Sequence, residues 1–278
     1  MSIKNRLLAT DLDGTFIPSH RTAESGEFQA LQRLKRSADE GEISLVYVTG
    51  RHIESVLLVM ETQSLPQPDW MICDVGTSIY VRNQGSYQIV EDYVTHLNHL
   101  TGGVDAQSLR ALLQSVPGLT PQEAEKQRQF KLSFYCESAV ISQCVERIEA
   151  ILQQRQLPYG LVSSIDPFDG KGLIDVLPKN VDKAYALNWW AAWQGLDPYH
   201  IVFAGDSGND YAALISGFRG ILVGNADACL AERLQAHHHQ AGTSDRIYFA
   251  KSIHTAGVLE GCRYYRLLAD DEPAETPR

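Results

Sequence analysis

Short apolar runs that each stop at a polar, glycine-bearing cluster set the strongest limit on how this chain can fold. Leu7-Leu8-Ala9 leads into Asp11-Leu12-Asp13-Gly14-Thr15, and Ile43 to Val48 leads into Thr49-Gly50-Arg51. Trp70 to Cys73 leads into Asp74-Val75-Gly76-Thr77, and Ile201 to Ala204 leads into Gly205-Asp206-Ser207-Gly208-Asn209-Asp210. A run of this kind, without polar alternation, suits a strand buried on both faces. Between the runs the period becomes helical. Phe28, Leu31, Leu34 and Ala38 fall on one stripe with Gly41 as a cap beyond it, helical spacing restarts over 53–60, and 183–193 and 211–216 read as helices. The stretch 220–224 returns to strand character. Strand alternating with helix predicts an α/β fold with a Rossmann-like parallel sheet. In open sheets of this class ligands bind beyond the carboxyl ends of the strands, where the polar clusters lie.

The middle of the chain breaks this rhythm. Residues 84–101 are polar and aromatic, 109–113 read as part of a short helix, 130–135 alternate apolar and polar, 140–152 are helical by spacing, and 159–163 and 173–177 read as strands. Half-exposed strands mixed with helices predict a separate α+β unit over 83–178. It would be inserted into a core made of 1–82 and 179–269, and 278 residues suffice for both. The acidic, Pro-containing tail 270–278 is expected to be disordered.

The formal net charge is −10, which opposes nucleic-acid binding and would repel an anionic ligand at long range. An anion site in this chain must therefore be local, built from a metal ion and a few placed cations. The five cysteines are odd in number and form no CxxC pair, so neither a zinc cluster nor a disulfide framework is expected. Reduced thiols and a cytoplasmic protein follow from that reading. No apolar run approaches the roughly 20 residues needed to span a bilayer. Residues 1–6 lack the apolar region of a signal peptide, so no membrane partner is expected.

The chemistry is carried by the clusters. Asp11 and Asp13 stand two apart after a strand, on one side of an extended segment, and two like charges held together call for a cation or a shared proton. Asp206 and Asp210, with Asn209, follow another strand, and the two clusters together offer the hard oxygen ligands that Mg²⁺ prefers. Thr49 could donate its hydroxyl and N–H to an anion, with Gly50 allowing close backbone approach. Lys183, at the start of a helix, could supply the fixed cation that phosphoryl transfer needs. Plainer readings stand beside each of these. Asp and Gly are ordinary turn formers, Thr49 would serve as an N-cap, and a lone lysine is usually a solvated surface residue. Ser207 lacks the setting of a serine nucleophile, because Asn209 occupies the final glycine position of Gly-x-Ser-x-Gly. His237-His238-His239 reads as a surface loop, and Trp189, Trp190 and Trp193 as a packing stripe.

Asp11-Leu-Asp-Gly-Thr15, Thr49-Gly-Arg51, Lys183 and Gly205-Asp-Ser-Gly-Asn-Asp210 resemble, in order and spacing, the haloacid dehalogenase superfamily of phosphatases. The insertion between Thr49 and Lys183 resembles the α+β cap of the subclass acting on sugar phosphates. Val75-Gly-Thr-Ser-Ile-Tyr80, Phe130-Lys-Leu-Ser-Phe134, Ile174-Asp-Val-Leu-Pro178 and Ser252-Ile-His-Thr-Ala-Gly-Val-Leu-Glu260 are similar to sucrose-phosphate phosphatases, with Asp182-Lys183-Ala184 standing where that family commonly has Asn-Lys-Gly. The resemblance implies a core of the haloacid dehalogenase fold. It further implies that Asp11 is the nucleophile, passing through an aspartyl-phosphate, and that Asp13 is the general acid and base. Mg²⁺ would be held by Asp11, the Asp13 carbonyl, Asp206 and Asp210, and the phosphoryl oxygens by Thr49 and Lys183. Gly50, Arg51 and Asn209 would complete the phosphate cradle, and Lys131, Lys171 and Asp175 would be the sugar contacts of the cap. The implied substrate is a sugar phosphate, sucrose 6-phosphate first, with mannosyl-3-phosphoglycerate or mannosylfructose phosphate as rivals and a sugar-phosphate synthase as a partner. A phosphomutase shares the nucleophile. A catalytically dead binding module would be expected to have lost one of Asp11, Asp13, Lys183, Asp206 or Asp210.

Overall fold

The computed structural model describes residues 6–18, 25–165 and 169–268. The tail at 270–278 therefore lies outside the described residues. The chain opens with strand β1 (Leu7–Thr10), helix α1 (Ser25–Asp39), β2 (Ser44–Val48), α2 (Ile53–Thr62) and β3 (Trp70–Cys73). A hairpin of β4 (Ser78–Asn83) and β5 (Ser86–Ile89) and helix α3 (Glu91–Leu100) follow. Next come α4 (Ala106–Leu113), β6 (Thr120–Pro121), β7 (Leu132–Cys136), α5 (Ile141–Gln154), β8 (Tyr159–Ile165) and β9 (Gly172–Pro178). The chain then runs through α6 (Lys183–Trp193), β10 (Ile201–Gly205), α7 (Tyr211–Leu214), β11 (Arg219–Leu222), α8 (Ala228–Gln240), β12 (Ile247–Phe249) and α9 (His254–Tyr264).

The larger sheet has the order β12-β11-β10-β1-β2-β3-β4-β5, parallel from β12 to β3 and antiparallel in its last two pairings. Its central strands are buried on both faces because successive side chains feed opposite layers. Leu7, Ala9, Val46, Val48 and Phe203 pack with Leu187, Trp190 and Leu234 on one side. Leu8, Leu45, Tyr47 and Val202 pack with Ala30, Leu34, Val59 and Leu259 on the other. Trp190 is fully buried, edge-on to Trp70, and Trp189 stacks on Trp193, so the tryptophans are packing residues.

Three expectations are corrected. Residues 86–89 extend the core sheet, and Tyr93 and Leu97 of α3 join its hydrophobic cluster, so the first element to pack with the smaller sheet begins at Ala106 and not at 83. A polar hairpin on a sheet edge carries only half the apolar signal of an inner strand. Phe28 is 64% exposed and leaves the expected stripe of α1, whose packed row is Ala30, Leu31, Leu34 and Ala38. The histidine triplet is not a loop but the last turn of α8. His238 continues the i, i+4 row of Leu230 and Leu234 into the core, its Nε2 meeting the Leu214 carbonyl at 3.1 Å and its Nδ1 the Thr243 hydroxyl at 2.9 Å.

The smaller sheet has the order β6-β7-β9-β8, all antiparallel. One face carries Leu132, Phe134, Ile174 and Val176, packed with Leu109 and Leu113 of α4 and Ile148 and Leu152 of α5. Alternation turns the other face, with Ser133, Asp175, Leu173, Val162 and Ser164, away from those helices. Phe130, just before β7, is buried in the cluster of the larger unit, with Val181 and Ala184.

Candidate active site

The clusters at the strand ends come together. Asp11 continues the ladder of β1 through its N–H to the Ala204 carbonyl, 2.9 Å. The turn after it needs glycine: Gly14 has φ +82°, and a Cβ there would lie 2.4 Å from Asp206 Oδ2. Thr15 donates its hydroxyl to Asp206 Oδ1 at 2.6 Å, and Asn225 Nδ2 donates to the Gly14 carbonyl at 2.8 Å, pinning this loop to the far side of the site. At the end of β10, Asp210 Oδ2 accepts from the N–H groups of Asp206 and Ser207 at 3.2 and 3.3 Å and so shapes the loop.

Lys183 is 1% exposed and enters from the first turn of α6, whose N-cap is Asp182, accepting from the Tyr185 N–H at 2.7 Å. Its Nζ lies 2.9 Å from Asp11 Oδ1, 2.9 Å from Asp210 Oδ1 and 3.0 Å from Asn209 Oδ1. The surface-lysine reading is thereby excluded. Burial works against the charge on this ammonium, but Asp11 and Asp210 outweigh it and hold its pKa above the ordinary value. Burial pushes the Asp11 carboxyl up to about 8, with Lys183 pulling against it. It also raises Asp206, against the hydrogen bond from Thr15. The Leu12 N–H and Lys183 both address Oδ1 of Asp11.

Carboxylate oxygens of Asp11, Asp206 and Asp210 lie within 4.8 Å of one another. Three hard oxygen donors at strand ends, with only one lysine among them, fit a divalent cation such as Mg²⁺. The Asp13 carboxylate is outside this trio. It is held by the Arg51 fork, Nε to Oδ2 at 2.7 Å and Nη2 to Oδ1 at 2.6 Å. Thr49 is fully buried, does not line the cavity, and its hydroxyl accepts the Arg51 N–H at 3.2 Å. In this arrangement it shapes the loop that presents Gly50 and Arg51.

A cavity of about 520 Å³ opens between the two sheets. One side is formed by Asp11, Asp13, Gly50, Arg51, Lys183 and Asn209, and the other by Gln122, Lys126, Lys131, Ser164 and Asp175. Lys131 is 6% exposed and pairs with Asp175 at 3.4 Å, while Asp175 accepts the Ser133 hydroxyl at 2.5 Å. Lys126 Nζ lies 2.6 Å from the Tyr135 hydroxyl and 3.1 Å from Glu123. Lys171 is not brought to the cavity. It is exposed, pairs with Asp169 at 2.9 Å and lies over the Tyr135 ring. Gln122, Lys126 and Ser164 were missed by the reading from sequence. Ser164 was accessible from period 2, since it lies opposite Leu173 in the register that puts Val162 opposite Asp175. Gln122 lies in irregular backbone and Lys126 ends the single 3-10 turn Ala124–Lys126, and neither leaves a periodic signal.

Residues 4–266 match the family described as Sucrose-6F-phosphate phosphohydrolase. The chain belongs to this family. A haloacid dehalogenase-like hydrolase of Nitrosococcus oceani is 34% identical over 93% of this chain and 71% of its own length. The mannosylfructose-phosphate phosphatase of Agrobacterium fabrum is 30% identical over 94% of this chain and 97% of its own. The sucrose-phosphatase of Synechocystis, solved with sucrose and phosphate, superposes with a TM-score of 0.72 at 26% identity, covering 96% of this chain and 100% of that one. This sucrose-phosphatase family member has the haloacid dehalogenase fold and is a phosphatase. All five described-region cysteines are free, and among the described residues no helix is long and apolar enough to cross a membrane.

Proposed function

We propose that the enzyme hydrolyses the phosphate monoester of a neutral saccharide, sucrose 6-phosphate first, through an aspartyl-phosphate on Asp11. The observation that carries this is the composition of the cavity. Asp11, Asp13 and Lys183 line one side of it, and on the other the Lys126 and Lys131 ammoniums are already matched by Glu123 and Asp175. No cap arginine lines it among the described residues, which speaks against a phosphoglycerate moiety and for an uncharged polyol.

Asp11, with Oδ1 addressed by Lys183 and Leu12 N–H, has Oδ2 left to attack phosphorus. Asp13 then gives a proton to the leaving sugar oxygen. It takes one back from the water that opens the acyl-phosphate, so ester and water become alcohol and phosphate. To do so it must leave the Arg51 fork, and a phosphoryl group drawn to Arg51 and Gly50 offers the exchange. Lys183 and Asn209 hold phosphoryl oxygens. Mg²⁺ held by Asp11, Asp206, Asp210 and the Asp13 carbonyl would neutralise charge on the transferred group.

Mannosylfructose phosphate is the second reading, favoured by the near full-length match to the Agrobacterium enzyme. A glycosyltransferase that builds the phosphorylated disaccharide must supply such a substrate. A complex between that synthase and this phosphatase would be tested by sedimentation; separate boundaries at micromolar concentration would dismiss it. The function itself is tested by phosphate release from a panel of sugar phosphates with Mg²⁺ or EDTA. Metal-dependent release led by sucrose 6-phosphate is expected. Release led by a phosphoglycerate ester, or phosphate reappearing on the sugar as a mutase would leave it, would refute the reading.

A further inference from the structure

The turn Asp74–Gly76 after β3 is held in an unfavourable conformation around a buried charge. Asp74 and Val75 have φ of 55° and 60°, a region that a β-branched residue seldom enters. Asp74 is fully buried, and neither of its carboxylate oxygens has a hydrogen-bond partner. Such a residue persists only where its surroundings over-determine it.

Those surroundings are the phosphate-holding elements. The Asp74 N–H donates to the Arg51 carbonyl at 2.9 Å and the Val75 N–H to the Thr49 carbonyl at 3.3 Å. A Cβ on Gly76 would lie 2.2 Å from the carbonyl of Asp182, the residue before Lys183. One turn therefore braces both the Thr49–Arg51 loop and the start of α6.

The cations that face Asp74, Lys131 and Arg128, both come from the inserted unit. Arg128 Nε lies 3.4 Å from Asp74 Oδ2, and Arg128 Nη2 donates to Glu54 of α2, the helix that follows Arg51. The Arg128 N–H also donates to the Lys131 carbonyl at 2.9 Å, in a turn that contains Phe130, itself buried in the larger unit's core. Arg128 is thus tied to the cavity residue Lys131 on one side and to the brace of the phosphate loop on the other. Exposed ion pairs contribute little, but here the Asp74 side chain is 0% exposed, so losing Arg128 removes the cation nearest to it and leaves Lys131 as its main remaining counter-charge.

We propose that Arg128 is a positioning residue that registers the sugar-facing side of the cavity against the Thr49–Arg51 loop, through Asp74 and Glu54. The assignment builds on the saccharide reading for its kinetic consequence only.

The test is Arg128→Gln, followed by hydrogen exchange and kinetics. Amides of Asp74, Val75 and residues 49–56 are expected to exchange about 10-fold faster, with β10 and β11 unchanged. For the glycosyl phosphate that the parent turns over best, kcat/KM is expected to fall about 10- to 100-fold, chiefly through KM. For p-nitrophenyl phosphate, too small to span the cavity, it should change less than about threefold. Arg128→Lys should not rescue, because one ammonium cannot address Asp74 and Glu54 as a planar fork does. Glu54→Gln gives the same split in weaker form, and serves if Arg128→Gln folds poorly. In an Asp74→Asn background the Arg128→Gln effect should shrink. Unchanged exchange at 49–56 and 74–75, or equal losses on both esters, would overturn the assignment. A parent inactive on every glycosyl phosphate would sink the substrate reading alone, since the exchange result still decides the role of Arg128.

Discussion

Replacing Lys183 with methionine keeps the bulk of the side chain and removes the one cation among Asp11, Asp210 and Asn209. Carboxylate oxygens of Asp11 and Asp210 then face one another within 4.8 Å in the metal-free protein. At an effective dielectric near 20 that repulsion is about 3 kcal/mol. Breaking a buried ion pair from one side typically costs about 3–5 kcal/mol, which agrees. At a few degrees per kcal/mol for a chain of this size, the melting temperature should drop roughly 6–20 °C. The deficit must depend on pH. Burial already raises the Asp11 carboxyl against the pull of Lys183, so without that cation the native state keeps on Asp11 a proton that the unfolded chain releases. Stability of the variant then falls as pH rises from about 4 through the folded-state value. The gap to the parent should be small at pH 5 and large at pH 8, and Mg²⁺ should narrow it. Urea unfolding of both proteins at the two pH values, in EDTA and then in Mg²⁺, measures this. Phosphate release should fall on the order of 100- to 1,000-fold. A gap under about 1 kcal/mol at pH 8, or one indifferent to pH, would refute the electrostatic account of the site.

The other expectations are simpler. Asp11→Asn should abolish turnover while leaving circular dichroism and melting temperature at or above the parent's, because Lys183 keeps Asp210 and Asn209 as partners; parent-like phosphate release from this variant would remove the nucleophile. Gly14→Ala places a Cβ 2.4 Å from Asp206 Oδ2 at a φ of +82°. It should cost about 1–2 kcal/mol of stability and raise the Mg²⁺ concentration needed for activity; a parent-like Mg²⁺ titration would contradict this. For Glu260, burial works to raise the carboxyl, but the Lys251 and Ser252 amides and the Tyr248 hydroxyl hold it down at about 2. A depressed carboxyl stabilises the fold above its ordinary value of 4.5 and loses that contribution as pH falls towards 2. Glu260→Gln should therefore be less stable at pH 7 by about 1 kcal/mol, after allowing for solvent screening, and equal to the parent near pH 2. A deficit that persists at low pH would point to lost packing instead.

The sequence by itself determined the core. Strands buried on both faces leave unbroken apolar runs, and the loops after them must carry whatever chemistry the sheet supports, so Asp11, Asp13, Asp206 and Asp210 were legible from position alone. Lys183 was legible only as a candidate, because a buried lysine and a surface lysine look alike until the two carboxylates beside it are known. His238 was misread for the converse reason: an i, i+4 continuation of Leu230 and Leu234 was hidden by the polarity of its neighbours. Tertiary structure alone decided the rest. It assigned the 86–89 strand to the core sheet, took Lys171 out of the cavity and put Gln122 and Lys126 into it, and set Arg128 against Asp74. The composition of the cavity and the Arg128–Asp74 contact depend on how two packed units meet, and a contact between residues far apart in the chain leaves no period for a sequence to display.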